Sequence, residues 1–248
     1  MAPDAVTPTG GAPSPEPPDR GGQAPARLGR QDRTELAHWI RTFGIALVVM
    51  VVIRAFLVQS FVVPTGSMEN TLVPGDRILV SRLDRGPSIS RGDVVVFDGT
   101  DTWGAPSTAS RQTGIAGILA SMASFVSLGS GADYVKRVVG VPGDRVTCCD
   151  TSGRLTVNGV PVDEPYLYPG NVPSTMTFDV IVPAGRIWVM GDHRSNSADS
   201  RSHLGQPGGG MIPLDDVVGR AWVRYWPLDR LGSIDTAPGL ASIPAATP

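Results

Sequence analysis

Apolar positions along the chain fall into one long block followed by a series of short runs. The block is Phe43–Val58, FGIALVVMVVIRAFLV, interrupted by Arg54. As a helix it spans ~24 Å at 1.5 Å per residue, short of the ~30 Å hydrocarbon core of a bilayer. Trp39, Ile40 and the first extended residues after Val58 complete the length, which predicts a transmembrane anchor over 37–59. Near the outer end of such a span Arg54 can snorkel to the headgroups. Arg20, Arg27, Arg30, Arg33 and Arg41 precede or open the block, which predicts a cytoplasmic N-terminus and an outward C-terminus. A cleavable signal peptide competes with this reading, because Val58-Gln59-Ser60 is a small-x-small site. The uncleaved anchor is favoured because the segment carrying the candidate chemistry follows at once and would lose its tether.

After Phe61 the pattern changes to short β-prone runs separated by turn residues. ILV (78–80), DVVVF (93–97), YVKRVVGV (134–141), RVTC (145–148), RLTVNGVPV (154–162), RIWVMGD (186–192) and RAWVRYW (220–226) read as strands. Asn158-Gly159 within VNGV is a type I′ hairpin signal. No stretch suggests βαβ units, so the expectation is an antiparallel, mainly β domain over 60–232. Ala116–Leu128, AGILASMASFVSL, breaks the pattern: it is uncharged and flanked by Gly/Ser-rich stretches. A buried strand or helix and a loop insertion both fit it; a membrane-touching insertion over 101–130 is preferred, since the run is too short to span. Residues 1–36 lack apolar periodicity and read as a disordered cytoplasmic tail. Residues 233–248, small and Pro-rich, read as a flexible tail.

Composition adds one sharp fact. Of 21 basic residues, only Lys136 is a lysine. Arg stays protonated in proteins, whereas a buried Lys can lose its proton and act as a base, so Lys136 is a candidate for chemistry Arg cannot perform. The formal net charge is −2, which gives no nucleic-acid footprint. The two cysteines, Cys148 and Cys149, are adjacent. They cannot form an ordinary bridge, because neighbouring Cα atoms lie closer than disulfide geometry usually allows. Two free thiols or a strained vicinal ring remain open, and the pair is too few for a metal site.

Three segments carry candidate chemistry. Val63-Pro64-Thr65-Gly66-Ser67-Met68 places hydroxyls in a stiff, open turn directly after the apolar block, where backbone N–H groups can face a developing oxyanion. In Tyr134-Val135-Lys136-Arg137-Val138, strand alternation puts Lys136 on the face of Tyr134 and Val138. Burial there would lower its pKa; a strand-edge lysine with its tip in water is the plainer alternative. Gly191-Asp192-His193-Arg194-Ser195-Asn196-Ser197-Ala198-Asp199-Ser200-Arg201 is a polar loop with paired Asp and Arg, able to order itself through its own ion pairs.

In this order and after this kind of anchor, the three segments resemble the signature boxes of type I bacterial signal peptidases, the leader peptidase family of Ser–Lys serine proteases. Arg91-Gly92-Asp93-Val94-Val95-Val96-Phe97 resembles a fourth, structural box. The likeness covers much of 59–226. It implies Ser67 as nucleophile, Lys136 as neutral general base, and an oxyanion hole from the Ser67 N–H and the Thr65 hydroxyl, where family members often have Ser. It implies that Ser197 orients Lys136, and that Asp199 with Arg201 and Asp192 with Arg194 form bracing ion pairs. His193 and Ser195 stand where the family often carries Asn and Asp. Phe61, Val63, Pro64, Met68, Leu72 and Tyr134 match positions lining shallow substrate pockets suited to small residues. The implied fold is a coiled, barrel-like core of antiparallel sheets with a smaller β appendage near 145–183. The implied partners are signal peptides of secreted preproteins and the lipid bilayer, with no nucleic acid, a monomeric state, and no metal or organic cofactor.

Three rivals remain. A Ser–His–Asp hydrolase has only His38, His193 and His203 to draw on, and there is no G-x-S-x-G elbow. A self-cleaving Ser–Lys repressor lacks an anchor and carries a DNA-binding module. A non-enzymatic membrane-tethered scaffold would not need Ser67, Lys136 and Ser197 together.

Overall fold

The computed structural model describes residues 30–104 and 133–245, and side chains are described outside 30–34 and 52–56. Most of the expected N-terminal tail, the snorkelling Arg54, the apolar insertion beyond residue 104 and the last three residues lie outside that description. The chain divides into two units, Met1–Val48 and Val49–Pro248.

Helix α1 (Arg30–Phe56) carries the apolar block. Along its described part Trp39, Ile40, Phe43, Leu47, Val48 and Met50 are all exposed. Among the described residues no helix is long and apolar enough to cross a membrane. The last two residues assigned to the anchor, Val58 and Gln59, open a strand instead.

The second unit is β-rich. Its strands are β1 (Val58–Val62), β2 (Arg77–Ser81), β3 (Val94–Asp98), β4 (Asp133–Gly140), β5 (Arg145–Cys148), β6 (Leu155–Val157), β7 (Val160–Pro161), β8 (Phe178–Ile181), β9 (Arg186–Met190), β10 (Ile212–Pro213), β11 (Val217–Trp226) and β12 (Gly232–Ser233). The larger sheet has eight strands in the order β1-β2-β11-β3-β4-β9-β10, with β12 on β11; the smaller has four, β7-β6-β5-β8. Every pairing is antiparallel. The larger sheet is an open path among the described residues rather than a closed barrel. The smaller sheet occupies the expected appendage, and its hairpin turns at Asn158 and Gly159, both with positive φ, as a type I′ turn requires.

The run VVVF on β3 shows why the central strands are apolar throughout. Val94 and Val96 enter a core with Phe61, Met68, Leu72 and Ile78. Val95 and Phe97 enter another with Trp103, Val138 and Ile187 on the opposite face. A strand covered on both sides has no polar face to show. A third core lies under the smaller sheet, where Val146, Leu155, Val157 and Trp188 meet Ala237, Leu240 and Ile243. The segment expected as a flexible tail is therefore packed over 233–245. Short helix α2 (Pro238–Ala241) buries Leu240 completely, and Arg91 donates to the carbonyls of Ile243 and Pro244. Its small and Pro-rich composition concealed four apolar side chains, Ile234, Ala237, Leu240 and Ile243, that face inward. Cys148 and Cys149 form the vicinal disulfide.

Candidate active site

The chain leaves β1 and enters a loop pinned by Val63 N–H to the Asp76 carbonyl and Gly75 N–H to the Val63 carbonyl, each at 2.9 Å. Gly66–Met68 then forms a single 3₁₀ turn. Met68 is fully buried and plugs this turn into the first core, while Ser67 next to it is 7% exposed. The Ser67 carbonyl accepts the His193 N–H at 3.1 Å, which ties the turn to the polar loop after β9.

Lys136 stands on β4, a central strand between β3 and β9, and is 3% exposed. Its Nζ lies 2.7 Å from Ser67 Oγ and donates to the Val135 carbonyl at 3.1 Å. Desolvation by burial lowers its pKa to about 8; Asp199 and Asp192 pull the other way but do not overcome it. Thr65 Oγ1 is 3.3 Å from Ser67 Oγ.

Buried ion pairs surround the dyad. Arg201 Nε and Nη2 clasp both oxygens of Asp199 at 2.8 Å, and Gly191 N–H adds a third bond at 3.0 Å. Despite its burial, the Asp199 carboxyl is therefore held below the ordinary carboxylate range. Arg137 clasps Asp192 at 2.9 and 2.7 Å, and Thr71 Oγ1 donates to the same carboxylate at 2.5 Å. Arg194 pairs with Glu164 at 2.5 Å and donates to the Gly191 carbonyl at 2.9 Å. Removing one member of such a pair leaves a buried charge uncompensated, at a cost of about 3–5 kcal/mol.

A cleft of about 400 Å³ opens over the dyad, lined by residues that include Val63, Pro64, Thr65, Met68, Tyr134 and Ala198. Neither described histidine of the second unit bonds Ser67 Oγ through its ring. His193 Nδ1 meets Glu69 at 2.8 Å, and His203 Nδ1 meets the Asp199 carbonyl at 2.9 Å while stacking on Trp103. That geometry removes the support for a Ser–His hydrolase. Among the described residues no group of His, Cys, Asp and Glu could hold a metal.

The family of signal peptidases, peptidase S26, matches residues 36–226. A probable signal peptidase I of Mycobacterium leprae is 36% identical over 222 residues, 77% of this chain and 76% of that protein. Signal peptidase I of Mycobacterium tuberculosis is 36% identical over 226 residues, 82% of this chain and 76% of that protein. The chain belongs to the signal peptidase family. It is a hydrolase of the serine endopeptidase class. A crystal structure of a signal peptidase I from Enterococcus faecalis aligns with 53% of this chain and 95% of its own, at 22% identity and a TM-score of 0.34.

For this signal peptidase, the residues singled out in the sequence converge with three exceptions. Phe61 and Leu72 are not among the residues lining the cleft; they pack in the first core, because their positions on β1 and after the Ser67 turn point them inward. Asp192 and Arg194 brace the site but not with each other. The 3₁₀ turn Arg194–Asn196 carries Arg194 to Glu164, and Asp192 faces Arg137 on the adjacent strand. Ser197 Oγ is buried without a hydrogen bond of ordinary length. Its weaker approach to Asp199 favours that carboxylate's charged form, and no bond joins it to Lys136. Arg137, Glu164, Glu69 and the cleft residues Asp133, Val135 and Asn196 also belong to the site. Arg137, Val135 and Asn196 lie inside segments that carry candidate chemistry; Glu164 has no local signal in the sequence at all.

Proposed function

We propose that this chain is a membrane-bound signal peptidase I that removes signal peptides from secreted preproteins by Ser–Lys catalysis. The observation that carries this reading is the buried Lys136 amine 2.7 Å from Ser67 Oγ, with its pKa lowered to about 8. Ser67 Oγ attacks the scissile carbonyl and passes its proton to neutral Lys136. The Ser67 N–H and Thr65 hydroxyl stabilise the oxyanion. As the C–N bond breaks, the Lys136 ammonium gives its proton to the leaving amine. Water, deprotonated by Lys136, then releases the acyl group from Ser67.

The cleft walls of Val63, Pro64, Met68 and Tyr134 are apolar and shallow, which suits small side chains such as Ala at the −1 and −3 positions. The exposed apolar side chains of α1 support a single-pass anchor in the cell membrane, with the N-terminus cytoplasmic and the catalytic unit outside.

Incubating the full chain in detergent with a synthetic signal peptide bearing an Ala-x-Ala site tests the proposal. Mass spectrometry is expected to show one cut after the second Ala, abolished by Ser67→Ala and by a bulky residue at −1. Cleavage by the Ser67→Ala protein, or no preference at −1, would refute it. Alkaline extraction of membranes is expected to leave the full chain in the pellet; its release would refute the anchor.

A further inference from the structure

The nucleophile turn is gripped from outside by residues that the dyad mechanism does not use. His193 reaches the turn twice: its backbone N–H donates to the Ser67 carbonyl at 3.1 Å, and its Nδ1 meets Glu69 Oε2 at 2.8 Å. An ionised carboxylate can only accept a hydrogen bond, so Nδ1 carries the proton, whether the ring is neutral or cationic. The His193 ring lies flat on Tyr168, with centroids 4.0 Å apart and planes 9° apart, so its orientation is fixed. Tyr168 N–H in turn donates to the Asp192 carbonyl at 3.1 Å. Glu69 caps the 3₁₀ turn, its N–H bonded to the Gly66 carbonyl. The next residue, Asn70, donates from its amide to the carbonyls of Tyr166 and Leu167 at 3.0 and 3.1 Å.

Two consecutive residues just after Ser67-Met68 thus hold two separate loops. Lys136 is fixed independently, on a strand paired on both sides. The Ser67–Lys136 separation therefore depends on how firmly the turn is docked. A misplacement of about 1 Å from a distant change can cost 100-fold in rate.

We propose that Glu69 and His193 form a positioning clamp that holds the nucleophile turn, and with it Ser67 Oγ, at the distance Lys136 requires. The clamp rests on the functional reading above. Neither residue touches the reacting atoms or lines the cleft, so the clamp acts through the placement of Ser67 and shows mainly in the catalytic step.

The test compares the full-length wild type with Glu69→Ala, Glu69→Gln, His193→Ala and the Glu69→Ala/His193→Ala double variant on the synthetic signal peptide in detergent. Thermal unfolding is measured for each. Glu69→Ala and His193→Ala are each expected to lower kcat about tenfold with KM within about twofold. Glu69→Gln, which keeps an acceptor for Nδ1–H, is expected to retain most of kcat. The double variant is expected to be no slower than either single variant, because the two side chains act as one unit. Multiplied losses in the double variant, a change confined to KM, equal losses in Glu69→Gln and Glu69→Ala, or kcat unchanged in Glu69→Ala would each overturn the clamp. If His193→Ala does not fold, the two Glu69 variants decide the question alone. A wild type that leaves the peptide intact would refute the functional reading, and the clamp with it.

Discussion

Lys136 sits in the middle of a sheet with 3% of its surface exposed, and that placement sets its chemistry. A fall in pKa from 10.5 to about 8 corresponds to roughly 3 kcal/mol against the charged form. The folded state carries this cost in full below about pH 8, and it is relieved as pH rises towards 10.5, where the unfolded chain also loses the proton. The proposed base is the neutral amine, so kcat/KM is expected to rise about tenfold per pH unit below 8 and to level off above it. A flat profile between pH 6 and 9 would contradict a lysine base. Lys136 was legible in the sequence because it is the single lysine among twenty arginines; the pocket residues were less so. Phe61 and Leu72 are apolar like Val63 and Met68, and residue type does not separate a cleft wall from the core behind it.

At the scale of elements, most strands were legible where apolar runs met turn residues, but β8 was not and β1 begins inside the run assigned to the anchor; the Asn158-Gly159 hairpin turned where its dipeptide required. Short edge pieces such as β10 and β12 were not, since two residues carry no periodicity. The ion pairs misled for a related reason. Asp192 and Arg194 are neighbours in sequence, but strand β4 brings Arg137 to Asp192, and the chain after β7 brings no comparable signal for the partner of Arg194, Glu164. The loop after β9 depends on close approach at Gly191. A Cβ there would lie 2.5 Å from the Ser67 carbonyl oxygen, a backbone atom that cannot swing away, and would overlap Ser197 Oγ with Ser197 Cβ at 2.6 Å. Gly191→Ala is expected to lower kcat at least tenfold and to cost about 1–3 kcal/mol of stability. Wild-type turnover in that variant would show that the loop and the nucleophile turn are not packed as described.

Across the whole molecule, a mainly β, antiparallel chain could be read from the run lengths and turns, and the smaller second sheet only from the family resemblance. The open path of the larger sheet among the described residues could be read from neither, because register and sheet order are set by long-range pairing. The packed C-terminal segment was hidden by its composition: Leu240 and Ile243 are two apolar residues in a Pro- and Ala-rich stretch, yet they complete the core beneath the smaller sheet. That arrangement brings three distant parts of the sequence, at Ser67, Lys136 and the loop 191–201, to one point. The central claim is that Lys136 acts there as a base. Its most direct test is signal-peptide cleavage by Lys136→Arg, compared with wild type at matched folding. Arg keeps the charge but does not give up its proton. A folded variant slower by at least about 100-fold is expected; near wild-type cleavage would show that the lysine beside Ser67 is not the base.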